Sequence, residues 1–269
     1  MLANETELYI ERGGPFYRLM QRIGLVCGQD PSPHRRIVAF VAITWLPLLG
    51  FAFWEGVALG PTARESLLMD FAAFARFLVA VPLLIIAEVT IGPRITSAGL
   101  HFVRAGLVTE EDYPAFDRAI GRLARRRESL WAELLILGIA LIGAWTLTTE
   151  TVYGGATTSW QSVMITTGQG SRPSLVGLWY HFVSVPVVQF FWYRWIWRYA
   201  IWIGFLFDVT RLDLKLVPTH ADGAGGLGFL GTAHTAFGIL AFAMCSVFSA
   251  AAASLIIFAG SGIEAFKIH

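Results

Sequence analysis

The sequence of residues 67–91 is LLMDFAAFARFLVAVPLLIIAEVTI, an apolar run that ends at Gly92-Pro93. A helix needs about 20 apolar residues to cross roughly 30 Å of hydrocarbon, and this run is long enough. Four further apolar runs occupy residues 37–59, 130–147, 175–197 and 228–260. The pattern predicts an all-α fold: a polytopic transmembrane helical bundle of about five spans with amphipathic interfacial helices.

The composition of the 269-residue chain agrees with a membrane location. Hydrophobic residues make up 55% of the chain, charged residues make up 14%, and the formal net charge is +1. Soluble domains contain roughly 45–50% apolar and about 25% charged residues. The composition excludes a disordered chain, and it argues against a nucleic-acid partner because such proteins carry a strongly basic surface. The lipid bilayer is therefore the expected partner.

The basic residues are distributed unevenly between the two sides of the predicted bundle. Sixteen of the 20 Lys and Arg residues precede span one, lie between spans two and three, or follow the apolar core of span four. The opposite loops hold three, and Arg76 lies inside span two. Lys and Arg accumulate in cytoplasmic loops. The distribution predicts a cytoplasmic N-terminus in a bacterial inner membrane.

The spans divide the chain into three parts. Residues 1–36 are predicted to be a cytoplasmic N-terminal segment, residues 37–260 the transmembrane domain, and residues 261–269 a short C-terminal end. Five spans would leave this end outside, directly after a span. We therefore expect the sequence to be a piece of a longer protein with at least one more helix.

Residues 93–129 are predicted to form a cytoplasmic helical segment. Thr109 is followed by three acidic residues, which is typical of a helix N-cap. Phe116, Ile120 and Leu123 then recur at helical spacing among arginines. Such a helix can lie on anionic lipid headgroups at the cytoplasmic face, or it can simply anchor the orientation.

The end of span four, FFWYRWIWRY, has the aromatic and basic composition of a membrane interface. Residues 200–212 are predicted to continue along the membrane plane after it. In that arrangement Trp202 and Phe205 face lipid, whereas Asp208 and Arg211 face water.

Ionisable groups inside apolar spans are the first functional candidates, because each costs several kcal/mol unless it is paired or hydrated. Arg76 lies in span two, and Asp70 is on a different face of the same helix. Glu55, near the end of span one, is the predicted partner of Arg76. Two interpretations stay open: an anion or gating site near the outer half, or a buried Arg–Glu pair that holds two helices together.

A second group of ionisable residues is predicted at the cytoplasmic boundary. Glu88 lies near the inner end of span two, Glu133 begins span three, and Arg194 and Arg198 share a face at the end of span four. Antiparallel threading places all four at similar depth. The group favours either a proton or ion vestibule or interfacial salt bridges with snorkelling side chains.

The most distinctive motif is HADGAGGLGFLG at residues 220–231. Gly223, Gly225 and Gly228 satisfy G-x-G-x-x-G, but a membrane span follows them, so no βαβ unit for a dinucleotide can form. We expect Asp222 to cap the N–H groups of the next helix. The glycines permit tight turning before that helix.

His220, Asp222 and His234 are the candidates for a metal or proton-relay site. Two His and one Asp at these spacings fit no standard metal pattern. The sequence therefore predicts no metal ligand, no cofactor and no assigned catalytic residue.

Residues 220–229 also resemble a family signature. His220, Asp222, Gly225, Gly226 and Gly228 match H-P-D-x-x-G-G-L-G-F, the signature of an uncharacterised family of bacterial polytopic inner-membrane proteins, with Ala in place of Pro. The resemblance implies a bacterial inner-membrane protein with a longer full-length chain. It implies no activity.

Span five carries small residues at four-residue spacing, namely Ser246, Ala250 and Ser254. Such a face allows close helix packing within the chain or between protomers, so a homo-oligomer is one open prediction.

Three classes of function remain. A transporter or channel-like subunit that moves an ion or small solute accounts for Arg76, for Pro186 in span four and for the Gly-rich break before span five. A structural or signalling membrane module accounts equally well for the basic segment and the small-residue face. A membrane-embedded enzyme would depend on His220 and Asp222 alone. The sequence favours the transporter.

Overall fold

The fold is a set of helices, in a computed structural model that describes residues 8–10, 12–26, 33–148, 159–164, 171–260, 262 and 264. The helices are α1 Pro15–Arg22, α2 His34–Trp54, α3 Phe71–Arg104, α4 Tyr113–Arg127, α5 Leu130–Thr148, α6 Leu175–Val209, α7 Phe229–Thr235 and α8 Gly238–Ala259. Two three-residue strands, β1 Ser162–Met164 and β2 Ser171–Pro173, pair antiparallel. The predicted all-α class is confirmed, with this short hairpin as an addition.

Four of the described helical segments are long and apolar enough to cross a membrane. They are α2, α3, α6 and the segment Phe229–Phe258. A fifth span is obtained if α4 and α5, which meet at a bend of 44°, are taken together. By length and composition, the chain is a multi-pass membrane protein.

Helix α2 ends five residues before the predicted end of span one. Gly56 adopts a φ of 73°, a left-handed conformation that glycine accepts without strain. The N–H groups of Val57 and Ala58 then donate to the carbonyl of Ala52. The turn therefore closes the helix at Trp54, although the residues up to 59 remain mostly apolar.

Helix α3 continues beyond Gly92-Pro93, where the sequence predicted an end. Pro93 lies inside the helix, which runs to Arg104. Ile91, Ile95, Ala98 and Phe102 are all buried at spacings of three and four residues. This continuous buried face outweighs the one hydrogen bond that proline removes.

Helix α6 likewise continues where an in-plane segment was predicted. It runs without a break to Val209, and Trp202 and Phe205 are 0% and 1% exposed. The prediction that these two rings face lipid is therefore wrong. Asp208 accepts a hydrogen bond at 2.9 Å from Arg122 of α4 instead of facing only water.

Two turns of π-helix interrupt the α-helical pattern, at Ala75–Ala80 in α3 and Tyr180–Ser184 in α6. The carbonyl of Arg76 accepts from Val81, and the carbonyl of Tyr180 accepts from Val185, each five residues later. Each turn is followed by a Val-Pro pair, at Pro82 and Pro186. Proline has no N–H group to donate, so the backbone hydrogen bonds shift to a wider turn just before it.

The chain divides into two compact units. The first unit comprises residues 1–33, 85–135 and 193–240, and the second comprises residues 34–84, 136–192 and 241–269. Four of the five boundaries in the chain fall inside helices, and the first falls immediately before α2.

The first unit buries aromatic rings from α3, α4 and α6. Phe116 lies between Phe102 and Phe205, with ring centroids 6.4 and 5.7 Å away. Ile120 and Leu123 of α4 are each 1% exposed. The apolar face predicted for α4 thus packs inside the protein, and its contact with anionic lipids stays a prediction that depends on the basic side chains alone.

The second unit has a core of apolar and aromatic side chains. Its fully buried members include Leu48, Phe77, Trp160 and Val176. Ser184 donates to the carbonyl of Thr44 at 2.8 Å, which ties α6 to α2. This core surrounds the candidate site described next.

The last apolar run, residues 228–260, forms two helices rather than one. Helix α7 ends at Thr235 and α8 begins at Gly238. At 33 residues the run is longer than one upright helix requires, and the structure divides it after its first two turns. Only 6% of the most apolar 18-residue stretch of this segment is buried.

Candidate functional site

Arg76 and Tyr180 form the centre of the candidate site in the second unit. The π-helical turns of α3 and α6 carry one residue each, and the Arg76 guanidinium donates a hydrogen bond to the Tyr180 hydroxyl. The guanidinium carbon lies 5.8 Å from the centroid of the Tyr180 ring. Arg76 lies six residues before Pro82, and Tyr180 lies six residues before Pro186. The two helix defects therefore present the two side chains at equivalent positions.

Trp160 and Asp70 adjoin this pair. The Trp160 ring packs edge-on against the Tyr180 ring at 5.0 Å, and its indole N–H donates to Asp70 Oδ2 at 3.2 Å. Asp70 Oδ1 accepts from the Ala73 N–H at 2.9 Å and so caps the start of α3. Asp70 is thus occupied by a helix end and an indole, and it makes no ion pair with Arg76.

His181 follows Tyr180 and is 2% exposed. Neither of its ring nitrogens has a hydrogen-bond partner in the part of the chain that the structure describes. Its ring stands perpendicular to the Tyr180 ring with centroids 5.0 Å apart. The positive charge of Arg76 interacts electrostatically with the His181 imidazole. Buried polar groups in proteins are almost always hydrogen-bonded, so this histidine needs an explanation.

The predicted ion pair between Arg76 and Glu55 is wrong. The Glu55 carboxylate accepts from the N–H groups of Leu175 and Val176, at 2.9 and 3.2 Å. It therefore neutralises the positive N-terminal end of α6 rather than the arginine. The free N–H groups of a helix start attract a carboxylate as strongly as a charged side chain does, and the sequence distance gave no sign of this choice.

The four ionisable residues predicted at similar depth do meet, in the first unit. Arg198 donates to Glu88 Oε1 at 2.7 Å, and Arg194 lies 3.6 Å from Glu88 and 3.4 Å from Glu133. The exposed fractions of Glu88, Arg194 and Arg198 are only 3–4%, so these side chains do not snorkel to an interface. Two carboxylates face two guanidinium groups, and the cluster is electrically balanced.

Helix α1 completes this cluster. The Phe16 N–H donates to Glu133 Oε2 at 2.6 Å, and the Arg194 guanidinium lies 4.7 Å from the centroid of the Phe16 ring. A cavity of about 10 Å³ lies between Gly13, Glu133, Arg194 and Arg198. This volume is enough for about one water molecule. The geometry is that of a tightly packed salt-bridge network rather than an open vestibule.

The Gly-rich loop wraps around Asp222. Its carboxylate accepts from the N–H groups of Ala224, Gly226 and Gly228, at 2.9, 3.1 and 2.8 Å. A Cβ on Gly228 would lie 2.9 Å from the Cβ of Asp222, which explains the glycine there. Asp222 does not cap the next helix as predicted: its three donors lie in the loop, and α7 begins after Gly228 without a side-chain cap. The backbone N–H bonds from Ala224, Gly228 and Gly226, with the His220 side chain, hold the pKa of Asp222 well below its usual range.

Gly223, Gly225 and Gly226 give this loop its path. They have φ angles of 64°, 66° and 98°, which fold the chain back over the carboxylate. The N–H groups of Ala224, Gly226 and Gly228 thus point at a side chain of the loop itself, so they are not available to bind the phosphates of a dinucleotide.

The histidines near this loop do not form a metal centre. His220 Nδ1 lies 2.8 Å from Asp222 Oδ1, while His234 Nδ1 lies 2.7 Å from the carbonyl of Leu230. Within the described residues, no group of three His, Cys, Asp or Glu side chains could hold a metal ion.

The sequence did not select Tyr180, Trp160 or His181 as candidate site residues. Aromatic side chains are common in membrane spans, so the rings of Tyr180 and Trp160 did not stand out. One signal was present: a Val-Pro pair follows each π-helical turn. Pro47 and Pro93 also lie inside helices, so proline alone would not have located the turns.

The contacts of Arg76 predict a specific pattern of energetic coupling. We expect Arg76→Gln and Tyr180→Phe to couple by about 1–2 kcal/mol in the free energy of unfolding, because a charge-assisted hydrogen bond joins them. The cycle of Arg76→Gln with Glu55→Gln should give coupling near zero. Unfolding of the purified protein in detergent measures both cycles. Strong coupling between Arg76 and Glu55 would contradict the assigned contacts.

The loop around Asp222 predicts a pH dependence. A carboxyl with a lowered pKa stabilises the folded loop fully above its ordinary value of 3.8, and the stabilisation declines as the pH falls below that value. We expect loop residues 217–228 to resist proteolysis equally at pH 7 and pH 5. Asp222→Ala should be cleaved faster at both, whereas Glu110→Gln, at an exposed carboxylate, should not. Loss of protection between pH 7 and pH 5 would contradict the assignment.

Comparisons with protein-family models, curated proteins and solved structures found no match to this chain. The resemblance of residues 220–229 to a family signature therefore stays a prediction. What is established is a multi-pass helical membrane protein with two distinct polar clusters.

Proposed function

We propose that the chain is a transporter or channel-like subunit that moves an ion or small solute, with Arg76, Tyr180 and His181 in its pathway. The observation that supports this most is a half-buried arginine, in a predominantly apolar span, without an ion-pair partner among the described residues. A charge at such a position costs several kcal/mol. A functional role explains why the cost is retained.

The backbone at this site supports the same function. Two π-helical turns in different candidate spans meet at the Arg76–Tyr180 contact. Such turns are rare and occur frequently at functional sites. Transporters often use broken or irregular helices to line a substrate site within the membrane.

A structural or signalling membrane module is the second candidate. The balanced cluster of Glu88, Glu133, Arg194 and Arg198 favours it, since a closed salt-bridge network fixes helices without conducting anything. Such a module would act through helix contacts, including a homo-oligomer through α8. It would also bind anionic lipids through Arg118, Arg125 and Arg126, which are exposed on α4.

A membrane-embedded enzyme that uses His220 and Asp222 is less well supported. The Asp222 carboxylate already accepts three backbone hydrogen bonds, so its oxygens are engaged in holding the loop.

The transport proposal predicts flux that depends on Arg76. Purified protein in proteoliposomes should pass at least one of Na⁺, K⁺, Cl⁻ and H⁺ down an imposed gradient. Arg76→Gln should lower that flux by about tenfold or more, since it removes the charge from the pathway. Ion-selective electrodes and pH-sensitive dyes measure the rates.

The control is Arg94→Gln, at an exposed arginine of α3 in the first unit. It should conduct as the unchanged protein does, and both variants should reconstitute equally. Absence of flux under every gradient would reject the transport proposal in favour of the structural module.

We also propose a bacterial inner-membrane location with a cytoplasmic N-terminus, on the strength of the Lys and Arg distribution. Arg194 and Arg198 are buried in the salt-bridge cluster. Without these two, fourteen basic residues still lie on the predicted inner side against three on the other.

Thiol labelling tests this orientation. In a background with Cys27 and Cys245 changed to Ser, Thr62→Cys should react with an impermeant reagent in intact cells, because Thr62 is exposed on the predicted outer side. Glu111→Cys, exposed on the predicted inner side, should react only after permeabilisation. The opposite pattern would invert the topology.

A further inference from the structure

The site around Arg76 contains hydrogen-bond donors that have no acceptor. The guanidinium carries five N–H groups. Among the described residues, its only hydrogen bond is the one to the Tyr180 hydroxyl. The other N–H groups of a half-buried arginine are left to bind something else.

Tyr180 and His181 add to this surplus. The Tyr180 oxygen accepts from Arg76, and within the described residues its own O–H has no acceptor. His181 carries at least one ring N–H in either tautomer, and both ring nitrogens lack a partner. Tyr180 is 7% exposed and His181 is 2% exposed. The orphaned groups are therefore shielded by protein.

The nearby carboxylates are committed elsewhere. Asp70 accepts from Ala73 and Trp160, and Glu55 accepts from the start of α6. Neither forms an ion pair with Arg76. Asp70 still acts on Tyr180 through its charge, but among the described residues no carboxylate accepts a hydrogen bond from Arg76, Tyr180 or His181. The three side chains offer the Arg76 charge and several N–H and O–H donors, a set that favours an anion over a cation.

We infer that Arg76, Tyr180 and His181 bind a small inorganic anion, of the size of chloride or nitrate. Arg76 supplies the charge, and the hydroxyl and imidazole N–H groups replace part of the hydration shell. The rings of Phe77 and Trp160 pack edge-on against the Tyr180 ring, and such apolar surroundings strengthen the electrostatic attraction between a charged side chain and an ion. As the substrate of the pathway, this anion rests on the proposed transport function.

Thermal unfolding of the full chain in detergent tests the site without requiring flux. Chloride replaces gluconate stepwise at constant ionic strength, and nitrate replaces it in a parallel series. A ligand that binds only the folded state raises the unfolding temperature with its concentration. We expect chloride and nitrate to raise the unfolding temperature of the unchanged protein above its value in gluconate, because a small anion bound to the folded state stabilises that state.

The variants identify the groups responsible. Arg76→Gln should raise the chloride concentration for half of the shift by about tenfold or more, as loss of a charge-assisted bond requires. His181→Phe keeps the ring shape and should weaken the response less. Arg76→Lys keeps the charge and should retain part of it. Arg94→Gln should respond as the unchanged protein does.

The outcomes separate this inference from the transport proposal. Equal unfolding temperatures in chloride and gluconate, or an unchanged response in Arg76→Gln, would overturn the anion site. Cation flux that depends on Arg76 would uphold transport and overturn the anion as its substrate. A chloride response that depends on Arg76, without flux, would uphold the anion site and reject transport.

Discussion

A helix in apolar surroundings must satisfy its backbone polar groups within the protein, since hydrocarbon offers no hydrogen bonds. In the second unit, side chains do this at the starts of α3 and α6. Asp70 caps α3, Ser174 caps α6, and Glu55 accepts from the next two N–H groups of α6. Prolines inside the spans pose the same problem, and wider turns precede two of them. The positions of Arg76 and Tyr180 follow from these backbone solutions.

The two units handle buried charge in opposite ways. In the first, Glu88 accepts from Arg198 and faces Arg194, so the low-polarity interior holds balanced charges. In the second, Arg76 has a neutral hydroxyl as its partner, and the carboxylates of Asp70 and Glu55 serve helix starts. Removing one member of a network of paired charges lowers stability, and the paired charges themselves confer no selectivity for a ligand. An unbalanced donor set costs stability in the absence of a ligand and confers selectivity for a negative one.

The sequence predicted what local patterns determine. Apolar run length predicted the spans, and the four ionisable residues at matching depth were grouped correctly. Asp222 was expected to cap a helix, and it accepts from N–H groups of its own loop instead. The sequence could not predict long-range choices. The end of α3 depends on a buried face that continues past Pro93. Glu55 could have paired with an arginine, but it accepts from the N–H groups at the start of α6. Tyr180 looked like any aromatic residue of a span. Such outcomes depend on which elements meet, which one sequence does not show.

Arg76 and Tyr180 lie at the same position relative to a π-helical turn and its proline, which explains how a donor-rich site can be held in an apolar bundle. Each side chain stands six residues before a proline, and each carbonyl accepts from the residue that precedes that proline. A shift of the proline by one position would rotate the side chain by about 100° around the helix. The backbone therefore fixes the direction of both donors before any ligand arrives. Preorganised donors bind a charge without paying for reorientation, which is the condition for selective binding at membrane depth.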